Sequence, residues 1–151
     1  MAIRAHLPKW VFIGIVPALL ASFSLLAVAT VPASAGMQMS STVNVMMGSN
    51  GSAYLVDSMG RPLYTYTKDV QNSGASTVSG GLLNAWPAVT VQSGQQPTLD
   101  PMAMGTLATI TRSDGTIQVT YNGWPLYTFI RDQAMAAPTG DGVASFALAT
   151  P

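Results

Sequence analysis

A chain of 151 residues sets a single domain as the expectation, and its six cations balance six aspartates, leaving it formally neutral. Only four scattered cations follow residue 36, too few to assemble the basic patch that nucleic acid requires. The sequence has no cysteine, so no disulfide framework can form, and after His6 it has no histidine and no glutamate either. In chain order, Arg4, His6 and Lys9 make a basic start, and Val11 to Val31 follows without a charge. Ala33-Ser34-Ala35 then offers a small-x-small cleavage site, so residues 1–35 read as a secretory signal peptide. The competing reading is an uncleaved anchor, since the apolar run is long enough to span a bilayer. Gly36, not cysteine, follows the cut, which argues against a lipid anchor. Residues 36–41 are a flexible lead-in to one β-rich domain over 42–151.

Within that domain the pattern is short and strand-like. Val43, Val45 and Met47 alternate along Ser41 to Met47. A second strand runs from Ser52 to Asp57. After the Ser58-Met59-Gly60 turn, a third starts at Pro62, a residue confined to strand starts and edges. Gly81 to Trp86 has room for one helical turn, stopped by Pro87. Residues 93–105 are polar and proline-bearing, a linker between repeat one (42–92) and repeat two (106–151). Leu107 to Arg112 and Thr116 to Tyr121 flank Ser113-Asp114-Gly115 as a hairpin. Asn122-Gly123 leads into Pro125 to Ile130, and Val143 to Ala149 is a last strand.

One phrase occurs twice: Gly60-Arg-Pro62-Leu63-Tyr64-Thr-Tyr66-Thr-Lys-Asp69 and Gly123-Trp-Pro125-Leu126-Tyr127-Thr-Phe129-Ile-Arg-Asp132. In each copy glycine supplies a tight turn and proline sets the strand entry. Alternation puts Leu63, Thr65 and Thr67 on one face and Tyr64, Tyr66 and Lys68 on the other. Leu126, Thr128 and Ile130 repeat the first face; Tyr127, Phe129 and Arg131 repeat the second. The cation after each aromatic pair has the spacing for a cation–π contact. Asp69 and Asp132 fall where strands end, suited to binding turn amides. These features predict an all-β fold of two hairpin-based half-repeats related by a pseudo-twofold, with at most one short helical turn near 81–86.

The residues limit the chemistry. Without histidine or cysteine after residue 36, Ser-His-Asp and Cys-His catalysis are excluded, as are the usual zinc sites. Asp69 and Asp132 as a carboxylate pair across the pseudo-twofold would suit an aspartate-based hydrolase; as separate turn caps they are structural. Met37 with Met39, and Met102 with Met104, are thioether pairs of the softness that copper(I) favours, or else flexible filler. The aromatics Tyr64, Tyr66, Tyr127, Phe129, Trp86 and Trp124 are either core or an exposed platform for a glycan or a partner protein. Few groups can titrate, which suits an acidic surrounding as well as a neutral one.

The two Tyr-x-aromatic-x-x-Asp motifs, with Asn84-Ala85-Trp86-Pro87, Gly115 to Gly123 and Gly140-Asp141-Gly142, resemble the bacterial family of secreted repeats of unknown function, often labelled predicted lipoproteins. The resemblance covers about residues 43–150 and implies an exported, two-repeat, β-rich domain without assigning a reaction. Two departures stand out. Family members usually carry two cysteines before the Trp-Pro, where this chain aligns Val78 and Leu82, which implies apolar packing in place of a disulfide. Many also carry a histidine before the second Pro-Leu-Tyr, where this chain has Trp124, removing a metal or haem ligand. The expected function is an exported, non-enzymatic envelope protein, structural or binding, without a cofactor and with an envelope protein or glycan as partner. It would be periplasmic or extracellular, not lipid-anchored, and would meet the membrane only through an uncleaved signal segment. The alternatives are a periplasmic copper or electron-transfer accessory and an aspartate-based hydrolase.

Overall fold

In the computed structural model of the chain, residues 42–151 are described. The signal-peptide reading of 1–35, the lead-in 36–41, and Met37 and Met39 lie outside the described residues. Eight strands carry the fold: β1 (Val43–Met47), β2 (Ala53–Asp57), β3 (Leu63–Tyr66), β4 (Thr90–Val91), β5 (Leu107–Thr111), β6 (Ile117–Tyr121), β7 (Trp124–Thr128) and β8 (Phe146–Leu148). One helical turn, α1 (Leu82–Ala85), ends as Trp86 and Pro87 enter an extended segment. β1 and β2 form an antiparallel pair, and the larger sheet runs β4-β6-β7-β3-β8 with β5 also on β6. The fold is nearly all β.

The two copies of the repeated phrase pair with each other. β3 and β7 run antiparallel with Leu63 opposite Thr128, Tyr64 opposite Tyr127 and Thr65 opposite Leu126. Equivalent residues of the two repeats thus face each other at Tyr64 and Tyr127, which places the pseudo-twofold through that pair. The hairpins obey the same relation: Val43 pairs with Asp57 in β1-β2, and Leu107 with Tyr121 in β5-β6.

The repeats also exchange their last strands. β8 of repeat two pairs with β3 of repeat one, Tyr66 opposite Phe146 and Tyr64 opposite Leu148. The amide of Ala149 then donates to Leu63, and its carbonyl accepts from Leu55. Repeat one returns the arrangement: Val89 donates to Leu126 and accepts from Val119, and β4 pairs with β6.

Both faces of the β3-β7 pair are therefore covered. Leu63 and Leu126 enter one cluster with Val43, Leu55, Val119 and Tyr121. Tyr64, Tyr66, Tyr127 and Phe129 enter the other, with Val78, Trp86 and Phe146. A strand buried on both faces needs an apolar or hydrogen-bonded residue at every position, which is what Pro-Leu-Tyr-Thr-aromatic supplies twice.

Several expectations need correction. The last strand is shorter than Val143 to Ala149: Val143–Ser145 is a 3-10 turn in which Ala144 and Ser145 take positive φ of 52° and 68°. The chain must bend there, Gly142 donating to Phe146, to bring Phe146 in beside Tyr66. β7 ends at Thr128, and Ile130 beyond it is exposed although its amide still donates to Ala85. Lys68 and Arg131 are exposed, and of the aromatic pairs' outer rings Phe129 stacks on Trp86 while Tyr66 meets Phe146 at a tilt. Nor is 93–105 only a spacer: Val43 donates to Thr98, Asp100 donates to Val43, and Ala103 is buried in the core. β4 had no sequence counterpart among the expected elements.

Candidate functional site

The charged and aromatic residues of the phrase converge around the pseudo-twofold. Asp69 Oδ1 accepts from the amide and hydroxyl of Thr77, both at 2.6 Å. Asp132 Oδ1 accepts from the amide of Thr139 at 2.9 Å and its hydroxyl at 2.6 Å. Each aspartate thus pins the loop that follows its own strand. The other oxygen reaches across. Tyr127 Oη donates to Asp69 Oδ2 at 2.6 Å, and Tyr64 Oη donates to Asp132 Oδ2 at 2.5 Å. The tyrosine of each repeat is held by the aspartate of the other.

Each phenol also meets a third group. Ser76 Oγ lies 2.6 Å from Tyr127 Oη, and the Gly140 amide donates to Tyr64 Oη at 3.1 Å. Burial, and next the hydrogen bond to a carboxylate, push both phenols well above the ordinary tyrosine pKa of 10.0. Both remain neutral donors over the whole physiological range. No hydrogen bond joins Asp69 to Asp132 among the described residues; each accepts from a threonine of its own repeat and from the tyrosine of the other. The carboxylate pair expected of a hydrolase is in this structure two tyrosine–aspartate pairs.

Four rings stack behind these pairs in a pseudo-symmetric order. Trp86 and Phe146 occupy equivalent places in the two repeats and lie face to face, centroids 3.8 Å apart and planes within 7°. Phe129 stacks on Trp86 at 4.3 Å, and Tyr66 lies against Phe146 at 4.6 Å with its ring tilted by 34°. Tyr64 meets Trp86 edge-on at 5.2 Å, and Tyr127 meets Phe146 edge-on at 5.3 Å. Such contacts add ~0.5–1.5 kcal/mol each beyond the area they bury. Val78 is fully buried in this cluster, and Leu82 packs against it half-buried.

The remaining motif residues serve the same assembly. Gly60 and Gly123 take φ of 81°, and Pro62, Pro125, Leu63 and Leu126 are buried. Trp124 is only half-buried, beside a cavity of about 270 Å³ shared with Gln71 and Asn122. Met102 and Met104 are not brought into any site: both side chains are exposed, Met104 at 91%. Among the described residues, no group of three or more aspartates is placed to hold a metal ion, and the sequence there has no histidine, cysteine or glutamate.

Sequence reasoning missed Thr77, Thr139, Ser76 and Gly140. Their signal was the repeat itself: Ser76-Thr77-Val78 and Pro138-Thr139-Gly140 follow the two aspartates at nearly equal distance. Gly140 must lack a side chain, because a Cβ would lie 2.6 Å from Trp86 and 3.0 Å from Tyr64. Arg112 and Gln118 were missed too. Arg112 donates to Gln118 Oε1 at 2.6 Å and to the Val78 carbonyl at 2.5 Å, while fully buried Gln118 donates to Leu126.

Comparison with known proteins adds one match. A family model described as a secreted repeat of unknown function fits residues 45–90 and again 108–149, together more than half of the chain. No curated protein and no solved structure matches.

Proposed function

The chain belongs to the family of secreted repeats of unknown function, and from that premise we propose that it is a non-enzymatic domain that binds or scaffolds in the cell envelope. One observation carries the reading. The tyrosine and the aspartate that both copies of the phrase share, Tyr64 and Tyr127 with Asp69 and Asp132, are spent on each other across the repeats. A reacting group needs a free face toward substrate; Tyr64 and Tyr127 have none. The phrase is therefore a clasp, and function falls to the surface the clasp holds in shape. In this reading the domain is exported, carries no lipid and no cofactor, and meets an envelope protein or a glycan. Among the described residues no helix is long and apolar enough to cross a membrane.

Cross-linking of the full chain in its native envelope, with identification of what is captured, tests the proposal. Reproducible capture of one protein or glycan supports it. Hydrolysis of a peptide, ester or glycoside by the purified chain that disappears in Asp69→Asn or Asp132→Asn overturns it.

A further inference from the structure

The pseudo-twofold makes a comparison inside one molecule possible, and it picks out a place where the repeats differ. In each repeat the first hairpin approaches the loop that follows the other repeat's aspartate. The hairpin of repeat two meets Ala75 to Ser79 and leaves a cavity of about 170 Å³. The hairpin of repeat one meets Met135 to Pro138 and leaves one of about 370 Å³. The hairpin registers relate the two. Arg112 donates its amide to Thr116, and Gly115 donates back to Arg112; Gly48 donates to Ser52, and Gly51 donates back to Gly48. Gly115 and Gly51 share positive φ of 82° and 79°. Gly48 is thus the counterpart of Arg112.

The side chains at these counterpart positions set the two cavities apart. In repeat two the Arg112 guanidinium fills the junction, anchored on Gln118 and the Val78 carbonyl. In repeat one no side chain stands there. The counterpart of Gln118 is Tyr54, whose hydroxyl turns to Met46 Sδ at 3.1 Å. The space Arg112 would take stays open, and none of the residues lining it carries a charge at neutral pH. It is lined by Met46, Met47, Met135, Tyr54 and Leu148 together with Ser49, Asn50 and Thr150, and the Met47 and Met135 side chains are also exposed to solvent. Its volume lies within the range of small-molecule sites, and an apolar wall with a few polar groups is their usual lining. Thioethers adapt to irregular shapes and make favourable contacts with aromatic rings.

We propose that this open cavity of repeat one is a binding site for a neutral, mainly apolar small molecule built on an aromatic ring. A charged ligand would find no counter-charge in the walls and would lose its hydration on entry. The proposal rests on the reading of the chain as a binding domain and names what one of its sites takes.

The test uses the full chain and the neutral fluorophore N-phenyl-1-naphthylamine, which brightens in apolar surroundings. Ala137→Trp and Gly48→Arg each fill the cavity, the second by restoring the side chain found in the other repeat. Ala75→Trp is the control, the equivalent filling of the cavity that Arg112 already closes. Residues 1–41 are common to all four proteins. The expected result is at least a tenfold loss of affinity in both filled variants and a change within twofold in the control. A thermal shift by the probe should appear in the parent and the control alone. Ala137 is exposed, so that variant keeps the test decisive should Gly48→Arg fail to fold. Unchanged binding in Ala137→Trp, or an equal loss in Ala75→Trp, overturns the proposal. Envelope capture by Ala137→Trp separates the two readings: if capture persists while probe binding was never cavity-dependent, the binding domain stands and its small-molecule site falls.

Discussion

At Tyr127 and Tyr64 one oxygen atom joins the two repeats, so the strength of that bond can be measured without disturbing the core. Tyr127→Phe keeps the ring against Phe146 and removes only the donor; Asp69→Asn keeps the shape while removing the charge and one acceptor oxygen. A double-mutant cycle between them should give a coupling of ~1.5–3 kcal/mol, the range for hydrogen bonds to charged groups. The Tyr64–Asp132 cycle should give less, because Asp132 is only half-buried whereas Asp69 is 4% exposed. Urea melts supply both numbers, and couplings below ~0.5 kcal/mol in both would deny the clasp. Truncating either tyrosine to alanine should cost more, ~3–5 kcal/mol, through lost packing. The same phenols set an alkaline limit. Up to about pH 9 each is essentially neutral whether folded or unfolded, so it contributes no pH dependence there. Above that, the unfolded chain ionises while the fold, with its raised pKa, retains the protons. Stability then falls with rising pH by up to ~1.4 kcal/mol per unit for each phenol. Urea melts from pH 8 to 12 should show a plateau followed by this decline, and the double Tyr64→Phe, Tyr127→Phe variant should flatten it. A parent whose stability does not change above pH 10 would refute the linkage.

At the scale of turns and strands, two glycines with the same backbone separate local strain from packing. Gly115 and Gly123 have φ of 82° and 81°, so a Cβ at either meets the left-handed penalty of ~1–2 kcal/mol. At Gly115 nothing lies within 4 Å of that Cβ, whereas at Gly123 it would run into the side chain and amide of Asn72. Gly115→Ala should therefore cost the backbone penalty alone, and Gly123→Ala that penalty plus displacement of the 70–72 loop, whose Asn72 amide donates to Gly123. Thermal melts of both variants check the order; equal losses would mean the loop yields freely. These turns were legible because their chemistry is local: Asp-Gly and Asn-Gly between alternating residues dictate a hairpin. The strands β1, β2, β3 and β5 to β7 followed for the same reason. The partner of β3 was not legible. Leu63-Tyr64-Thr65-Tyr66 specifies a strand fit for burial on both faces, yet nothing in those four residues says which strands flank it. Residues 85–91 and 143–149 were hardest, since each is shaped by the repeat it crosses into rather than by its own sequence. Val143 to Ser145 reads as strand and is bent by the need to seat Phe146. The aspartates as loop anchors were foreseen; their tyrosine partners, more than 50 positions away, were not.

Over the whole molecule the exchange of last strands means that neither repeat is complete alone. Repeat one lends 85–91 to β6 and β7, and repeat two lends 146–149 to β2 and β3. Cutting each free of the other would expose Trp86 and Phe146, which stack on one another across the boundary. The covalent link between repeats runs through Gln92 to Gln96, an exposed stretch, and such sites are where chains tolerate nicking. A protease site placed after Gly94 in the full chain should therefore be cut without separating the halves. The link supplies only effective concentration, at the millimolar level for a short connection, while the clasp, the ring stack and the shared sheet supply the free energy of association. Size-exclusion chromatography should return both pieces in one peak of the parent's size, with the cross-repeat aromatic signature retained in near-ultraviolet circular dichroism. The melting temperature should fall and become concentration-dependent, because unfolding now dissociates two molecules. The phenylalanine and asparagine substitutions at the clasp should hasten dissociation of the nicked pair while hardly changing how the intact chain elutes. Halves that separate at once after cutting, each still folded, would show two independent domains joined by a tether, and the repeated phrase would then need another reason for being written twice.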